Sequence, residues 1–197
     1  RVMLLKNKWL NLLLLSSLLG GSLFLAWNYF LIAYQKRRIL TLFNPESDPL
    51  GSGYHIIQSK IAIGSGGFTG KGIAKGSQSQ LDFVPEQSTD FIFSVLAEEL
   101  GFLGVLLLII IYSLIIYRCL ILSLRCEDNF SRLLGASLTF VFFTYIFVNI
   151  GMVSGLLPVV GVPLPLISYG GSSLITLMAS FGIIMSIHKH KGPRYLQ

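Results

Sequence analysis

Asp90 lies within the run Val84-Pro85-Glu86-Gln87-Ser88-Thr89-Asp90-Phe91-Ile92-Phe93, at the point where a polar stretch gives way to apolar sequence. From there to Tyr117 the only charges are Glu98 and Glu99. An acid at such an edge marks the water-to-lipid boundary of a membrane span. It can meet lipid-borne and soluble groups together. Two readings of Asp90 stay open on these grounds. One is a functional group. The other is an acid stabilised by the positive end of a helix, worth about 0.3–1 kcal/mol when exposed. Glu86, four residues earlier, shares that face only if the helix starts ahead of it, and Pro85 suits a first helical position. Glu98 and Glu99 fall about 12–13 Å deeper along a continuous helix. Charge at that depth needs pairing or water, which points both acids to a bundle interior or cavity. Neighbouring helical residues differ by about 100° in direction, so the two are expected to have different partners.

Other reactive side chains are sparser. The three histidines, His55, His188 and His190, form no helical pair at zinc-binding spacing. Gly64-Ser65-Gly66-Gly67-Phe68-Thr69-Gly70-Lys71-Gly72 invites a phosphate-loop reading, because glycines expose backbone N–H groups. The spacing rejects a nucleotide. Ser65 stands where a P-loop needs its first Gly, Gly72 replaces the Ser or Thr, and Thr69 replaces the third Gly of a dinucleotide loop. A flexible loop or a non-nucleotide anion nest is left.

The elements that must position these residues are membrane helices. With 53% hydrophobic and 12% charged residues, and a mean hydropathy of +0.71, the chain is too apolar for an ordinary soluble domain. At about 20 residues per crossing, four spans are expected, at about 9–33, 91–117, 133–157 and 165–187. A long loop covers about 34–89. Inside it, Tyr54, Ile57 and Ile61 recur at helical spacing and suggest a short interfacial helix. Nine of the 15 basic residues fall on one side if the first helix runs outward from the cytoplasm, which puts the long loop outside. Lys36-Arg37-Arg38, against a helix end, counts the other way. Cys119 and Cys126 are then expected in the inner loop, reduced and without a disulfide. The chain opens at Arg1 in a basic flank and reads as the later part of something longer.

Between the last two spans, GLLPVVGVPLPLISYGGSS (155–173) packs helix breakers and small polar residues into membrane-length apolar sequence. Backbone freed there must be satisfied by protein or a watered cavity. A tight helical hairpin followed by small-residue packing is one reading. A groove for a lipid-linked molecule beside Asp90 is the other.

Three long runs carry a resemblance: NPESDPLGSGYHIIQSKIAIGSGG (44–67), PEQSTDFIFSVLAEELG (85–101) and GMVSGLLPVVGVPLPLISYGGSS (151–173). Together they closely resemble the SEDS (shape, elongation, division, sporulation) membrane proteins, in the rod-elongation branch rather than the division branch. The resemblance covers essentially the whole chain. It implies an all-α polytopic fold in which these are the later four of ten membrane helices. It also implies a peptidoglycan glycosyltransferase of the bacterial cytoplasmic membrane, active on the extracytoplasmic face, that polymerises lipid II during cell elongation. This fragment alone is expected to be inactive.

The family's TDF acid matches Asp90. In the implied reaction the GlcNAc 4-hydroxyl of one lipid II attacks the anomeric carbon of a second, inverting it and expelling undecaprenyl pyrophosphate. Asp90 is then the general base, an assistance of about 10²- to 10⁴-fold. Lys60 and Lys71 would face the pyrophosphate, with Lys75 and residues 36–38 as further cations. Glu86, Thr89, Ser168, Gly170, Gly171 and Ser172 would support the site or line its groove. No cofactor is certain, and a divalent cation, Mg or Mn, is compatible with the chemistry. The implied partners are a class B penicillin-binding transpeptidase, other elongation-complex membrane proteins and the bilayer, with no nucleic acid. A lipid II flippase or a non-catalytic scaffold of the same complex would also use intramembrane acids and broken helices.

Overall fold

The computed structural model describes residues 8–47, 51–76 and 89–189, and all regular structure among them is helical. Among the described residues six α-helices follow one another: α1 Lys8–Leu25, α2 Ala33–Phe43, α3 Ser52–Gly66, α4 Ile92–Leu124, α5 Asn129–Val153 and α6 Gly171–Lys189. A π-helical turn, Ala26–Phe30, continues α1, and a short 3₁₀ turn, Pro45–Ser47, leads out of α2. Three helices among the described residues are long and apolar enough to cross a membrane: α4, α5 and the Gly171–His188 part of α6. The described parts of the long loop carry helices of their own, as the expected interfacial helix requires. α3 turns the Tyr54–Ile61 periodicity into a 15-residue helix that packs on α4.

α4, α5 and α6 pack around a core of Leu108, Tyr112, Phe142, Ile146 and Leu177. Phe142 lies edge-on to both Tyr112 and Phe181, with ring centroids 6.0 and 5.3 Å apart. Ile56 of α3, Phe91, Met152, Val153, Val159 and Leu164 extend this core to the end of the bundle where Asp90 lies. Most other large apolar side chains on these three helices face outward, among them Leu107, Phe140, Phe147, Ile175 and Met185. Such a surface suits lipid or further membrane helices rather than water.

The turn between α4 and α5 is short. Asp128 caps α5 by accepting from the Ser131 N–H at 3.2 Å. Ser123 donates to the Arg132 carbonyl at 2.6 Å. Because α4 continues to Leu124, Cys119 lies in the helix and only Cys126 in the turn, which corrects the expected loop placement. Both are buried free thiols.

α4 is not one straight rod. Gly101 sits at φ 65°, ψ −163°, a region essentially reserved for glycine, and divides a short segment, 92–100, from 102–124. The second piece alone is long enough for a crossing of about 20 residues. The break frees backbone groups that must find partners, and residues 66–72 supply them. Lys71 and Gly72 donate their N–H groups to the Glu98 and Glu99 carbonyls, both at 3.0 Å. In return Phe102 and Leu103 donate to the Gly67 and Phe68 carbonyls at 2.9 and 3.2 Å. A Cβ on Gly101 would strike the Gly70 nitrogen, and one on Gly70 the Glu99 carbonyl. The glycine run is thus spliced into the helix break. It is neither a flexible loop nor an anion nest, because its N–H groups serve helix carbonyls.

Candidate functional site

Thr89 and Asp90 lie in the turn immediately before α4, both half-buried. The helix begins at Ile92, and Pro85 lies outside the described residues. Glu86 lies outside the described residues. Two carbonyls in this turn are held by side chains distant in sequence. Ser168 donates its hydroxyl to the Thr89 carbonyl at 2.5 Å and accepts the Leu164 N–H at 2.7 Å. Asn149 of α5, fully buried, donates from Nδ2 to the Asp90 carbonyl at 2.9 Å and to the Val162 carbonyl at 2.7 Å.

The segment between α5 and α6, residues 154–170, carries both anchors' other ends and folds over the turn. Gly161 takes φ 82°, and a Cβ there would stand 3.1 Å from Asp90 Oδ2. The carboxylate therefore lies directly against this loop. Arg38 of α2, its guanidinium 4.4 Å from the Tyr34 ring centroid, donates to the Val159 carbonyl at 2.5 Å and fastens the loop from the other side. Tyr112 does the same from inside the bundle, donating to the Pro165 carbonyl at 2.6 Å. Leu166 is in the left-handed region at φ 66°, a conformation that costs a non-glycine residue about 1–2 kcal/mol. The proline-rich segment is thus a tied lid on Asp90, not the tight hairpin that is its plainer reading.

Lys60 projects from α3 onto the same loop, with its side chain packed against Gly155, and remains exposed. Lys71, expected from sequence to face the substrate, has its Nζ 2.7 Å from Glu98 Oε1, and Glu98 is fully buried. Glu99 accepts the Ala74 N–H at 3.0 Å. Both deep acids therefore find different partners within one loop. Gly170 and Gly171 open α6, and the Gly170 carbonyl accepts from Ser173 Oγ. Ser172 lines a cavity of about 310 Å³ between α5 and α6, together with Tyr145, Pro163, Thr176 and Ser180. A second, more apolar cleft of about 440 Å³ runs between α4 and α5, past Ile109, Tyr112, Phe147 and Leu157. The structure brings Thr89, Asp90 and Ser168 together, sets Lys60 over the neighbouring loop, and turns Lys71 into the helix break.

Asn149 went unnoticed in the sequence. Its readable signal is one strongly polar amide in an otherwise apolar span, a group that does not ionise. Among the described residues no three His, Cys, Asp or Glu side chains cluster closely enough to hold a metal ion.

Three membrane-length helices among the described residues, packed in one bundle, define a multi-pass membrane protein. The model of the FtsW/RodA/SpoVE family of cell cycle proteins matches residues 2–192, and the chain belongs to that family. It is 61% identical over 165 residues to peptidoglycan glycosyltransferase MrdB of Escherichia coli K12, covering 84% of this chain and 45% of MrdB. The chain thus spans about half the length of such relatives. Among solved structures it is similar to a chain of a peptidoglycan synthase complex described as coordinating polymerization and crosslinking. That match has a TM-score of 0.68 and 37% identity, over 96% of this chain and 51% of the other. It is also similar to a mutant of the Thermus thermophilus rod shape determining protein RodA, with a TM-score of 0.51 and 39% identity over 57% of this chain and 37% of the other.

Proposed function

We propose that the protein to which this chain belongs is a peptidoglycan glycosyltransferase that polymerises lipid II at the outer face of the bacterial cytoplasmic membrane, during rod-type elongation. The observation that carries the reading is Asp90, half-buried at the mouth of α4 with its carboxylate against Gly161. The family membership and the names of the relatives support the same reaction class.

In this mechanism Asp90 accepts the proton of the acceptor GlcNAc 4-hydroxyl as its oxygen bonds to the anomeric carbon of the donor MurNAc. The anomeric C–O bond to pyrophosphate breaks on the opposite face, and undecaprenyl pyrophosphate leaves with the electron pair. A sugar hydroxyl is a poor nucleophile while it holds its proton, and a positioned base contributes about 10²- to 10⁴-fold. Lys60, exposed beside the 154–170 loop, offers charge to the leaving pyrophosphate. The apolar cleft between α4 and α5 offers a surface to part of a lipid tail. Lys71 has the weaker case, since its charge is matched to Glu98. A class B penicillin-binding transpeptidase is the proposed partner, and the complex seen for a structural relative supports that pairing.

The test is polymerisation of purified lipid II by the whole protein with its transpeptidase partner, comparing wild type with Asp90→Ala. Glycan synthesis should fall by about two to four orders of magnitude. Synthesis at the wild-type rate sinks the general-base assignment. Lipid II translocation in liposomes without any polymerisation favours a flippase instead.

A further inference from the structure

Asp90 can act on a hydroxyl only if its carboxylate points in a fixed direction, and a turn residue ahead of a helix has no helical hydrogen bonds to fix it. Two peptide planes meet at the Asp90 Cα. The plane before it carries the Thr89 carbonyl, which Ser168 holds, and the plane after it carries the Asp90 carbonyl, which Asn149 holds. With both planes pinned, φ and ψ of Asp90 are set, and so is the direction of its Cα–Cβ bond. We infer that Asn149 is a positioning residue for the reaction, aiming the Asp90 carboxylate while joining its turn to the Val162 loop. This rests on the reading of Asp90 as general base.

Three features single out Asn149. First, both of its contacts are to carbonyl oxygens, so Nδ2 must face them and the amide orientation is fixed by chemistry. Second, this leaves Oδ1 buried with no hydrogen-bond partner among the described residues. A buried acceptor without a donor opposes folding, so the amide is poorly explained as a device for stability alone. Third, its two carbonyls belong to the two segments that enclose the carboxylate: the turn that bears Asp90, and the loop whose Gly161 lies against Oδ2. One side chain therefore ties the base's turn directly to the lid. Ser168 bridges the same two segments through Thr89 and Leu164, which makes the pair a double strut.

A displacement of about 1 Å at a reacting group costs about 10²-fold in rate. The whole protein with its transpeptidase partner is assayed on purified lipid II with Asn149→Asp, which keeps the shape and removes the paired donors, and with Asn149→Ser, which is small and keeps one donor. Turnover should fall about 10- to 100-fold in Asn149→Asp and less in Asn149→Ser, with KM for lipid II within about twofold of wild type in both. Combining Asn149→Ser with Asp90→Asn should leave the residual rate of Asp90→Asn unchanged, because a strut that aims an absent base has nothing to aim. A merely structural residue would lower both backgrounds by the same factor.

Wild-type turnover in both Asn149 variants overturns the inference. So does a rise in KM with turnover unchanged, or failure of Asn149→Ser protein to accumulate in membranes. If Asp90→Asn alone retains wild-type activity, the general-base reading falls and this inference falls with it. If Asp90→Asn is inactive and the Asn149 variants are not, only the positioning role is lost.

Discussion

Gly161 is the residue on which the Asp90 environment can be probed most finely. Its φ of 82° and the 3.1 Å between a notional Cβ and Asp90 Oδ2 mean that one added methyl presses on the carboxylate from the lid side. Gly161→Ala should therefore lower turnover more than binding, by about tenfold, through misdirection of the base. It should also cost about 1–2 kcal/mol for the left-handed backbone, read as a fall in the thermal midpoint of the purified protein. Unaltered kinetics alongside such a fall would show that the loop moves off the carboxylate during turnover. Ser168→Ala removes the other strut's hydroxyl and leaves the Leu164 N–H and the Thr89 carbonyl without it. Turnover should drop about tenfold and recover in Ser168→Thr, which keeps the hydroxyl. Lys60 is the contrasting case, an exposed cation with no part in aiming the base. Lys60→Ala should raise KM for lipid II while leaving the thermal midpoint within about 1 °C, since surface substitutions fall within about 0.5 kcal/mol.

The break in α4 shows why the site's supports were only partly legible. The sequence points Glu98 and Glu99 to a bundle interior or cavity, and its glycine run invites a phosphate reading that the spacing rejects for nucleotides. The physical cause behind both impressions is one contact. Glycines expose N–H groups, but the acceptors here are the Glu98 and Glu99 carbonyls freed at Gly101, about 30 residues along the chain. Nothing in local spacing reveals which distant carbonyl a loop will serve. The Lys71–Glu98 pair at 2.7 Å belongs to the same splice and yields a test at this scale. Lys71→Ala takes this cation from a fully buried carboxylate, and the cost should approach about 3 kcal/mol, the lower end for a buried pair because Lys71 is partly exposed. Lys71→Met combined with Glu98→Leu should recover most of that loss, since a buried pair can be replaced by apolar groups with little net change. Equal destabilisation by the single and the double variant, measured by thermal unfolding in one detergent, would mean that the pair is not the source of the effect. Gly101→Ala should be harsher than either, because its Cβ meets the Gly70 backbone and no side chain can yield.

At the scale of the whole molecule, composition and apolar run length identified an all-helical membrane protein. The acid at the head of α4 was equally plain, because one charge at the edge of a long apolar run is conspicuous. Asn149, Arg38 and Tyr112 were not legible as supports, since each acts on a backbone carbonyl of the 154–170 segment and backbone targets leave no trace in side-chain patterns. The direction of the bundle rests on charge distribution, with nine of 15 basic residues on one side and residues 36–38 opposing. That balance is directly measurable. In a background of Cys119→Ser and Cys126→Ser, single cysteines are introduced as Thr69→Cys, exposed in the loop next to the Gly101 break, and Glu127→Cys, exposed in the turn between α4 and α5. With intact cells and a membrane-impermeant maleimide, Thr69→Cys should label at once. Glu127→Cys should label only after permeabilisation. The reverse pattern would put Asp90 on the cytoplasmic face, where the glycan strand is not assembled, and would remove the polymerase reading even if every contact around Asp90 were as described. Labelling of both sites in intact cells would mean that the α4–α5 turn reaches the outer face, and α4 would then not cross the membrane.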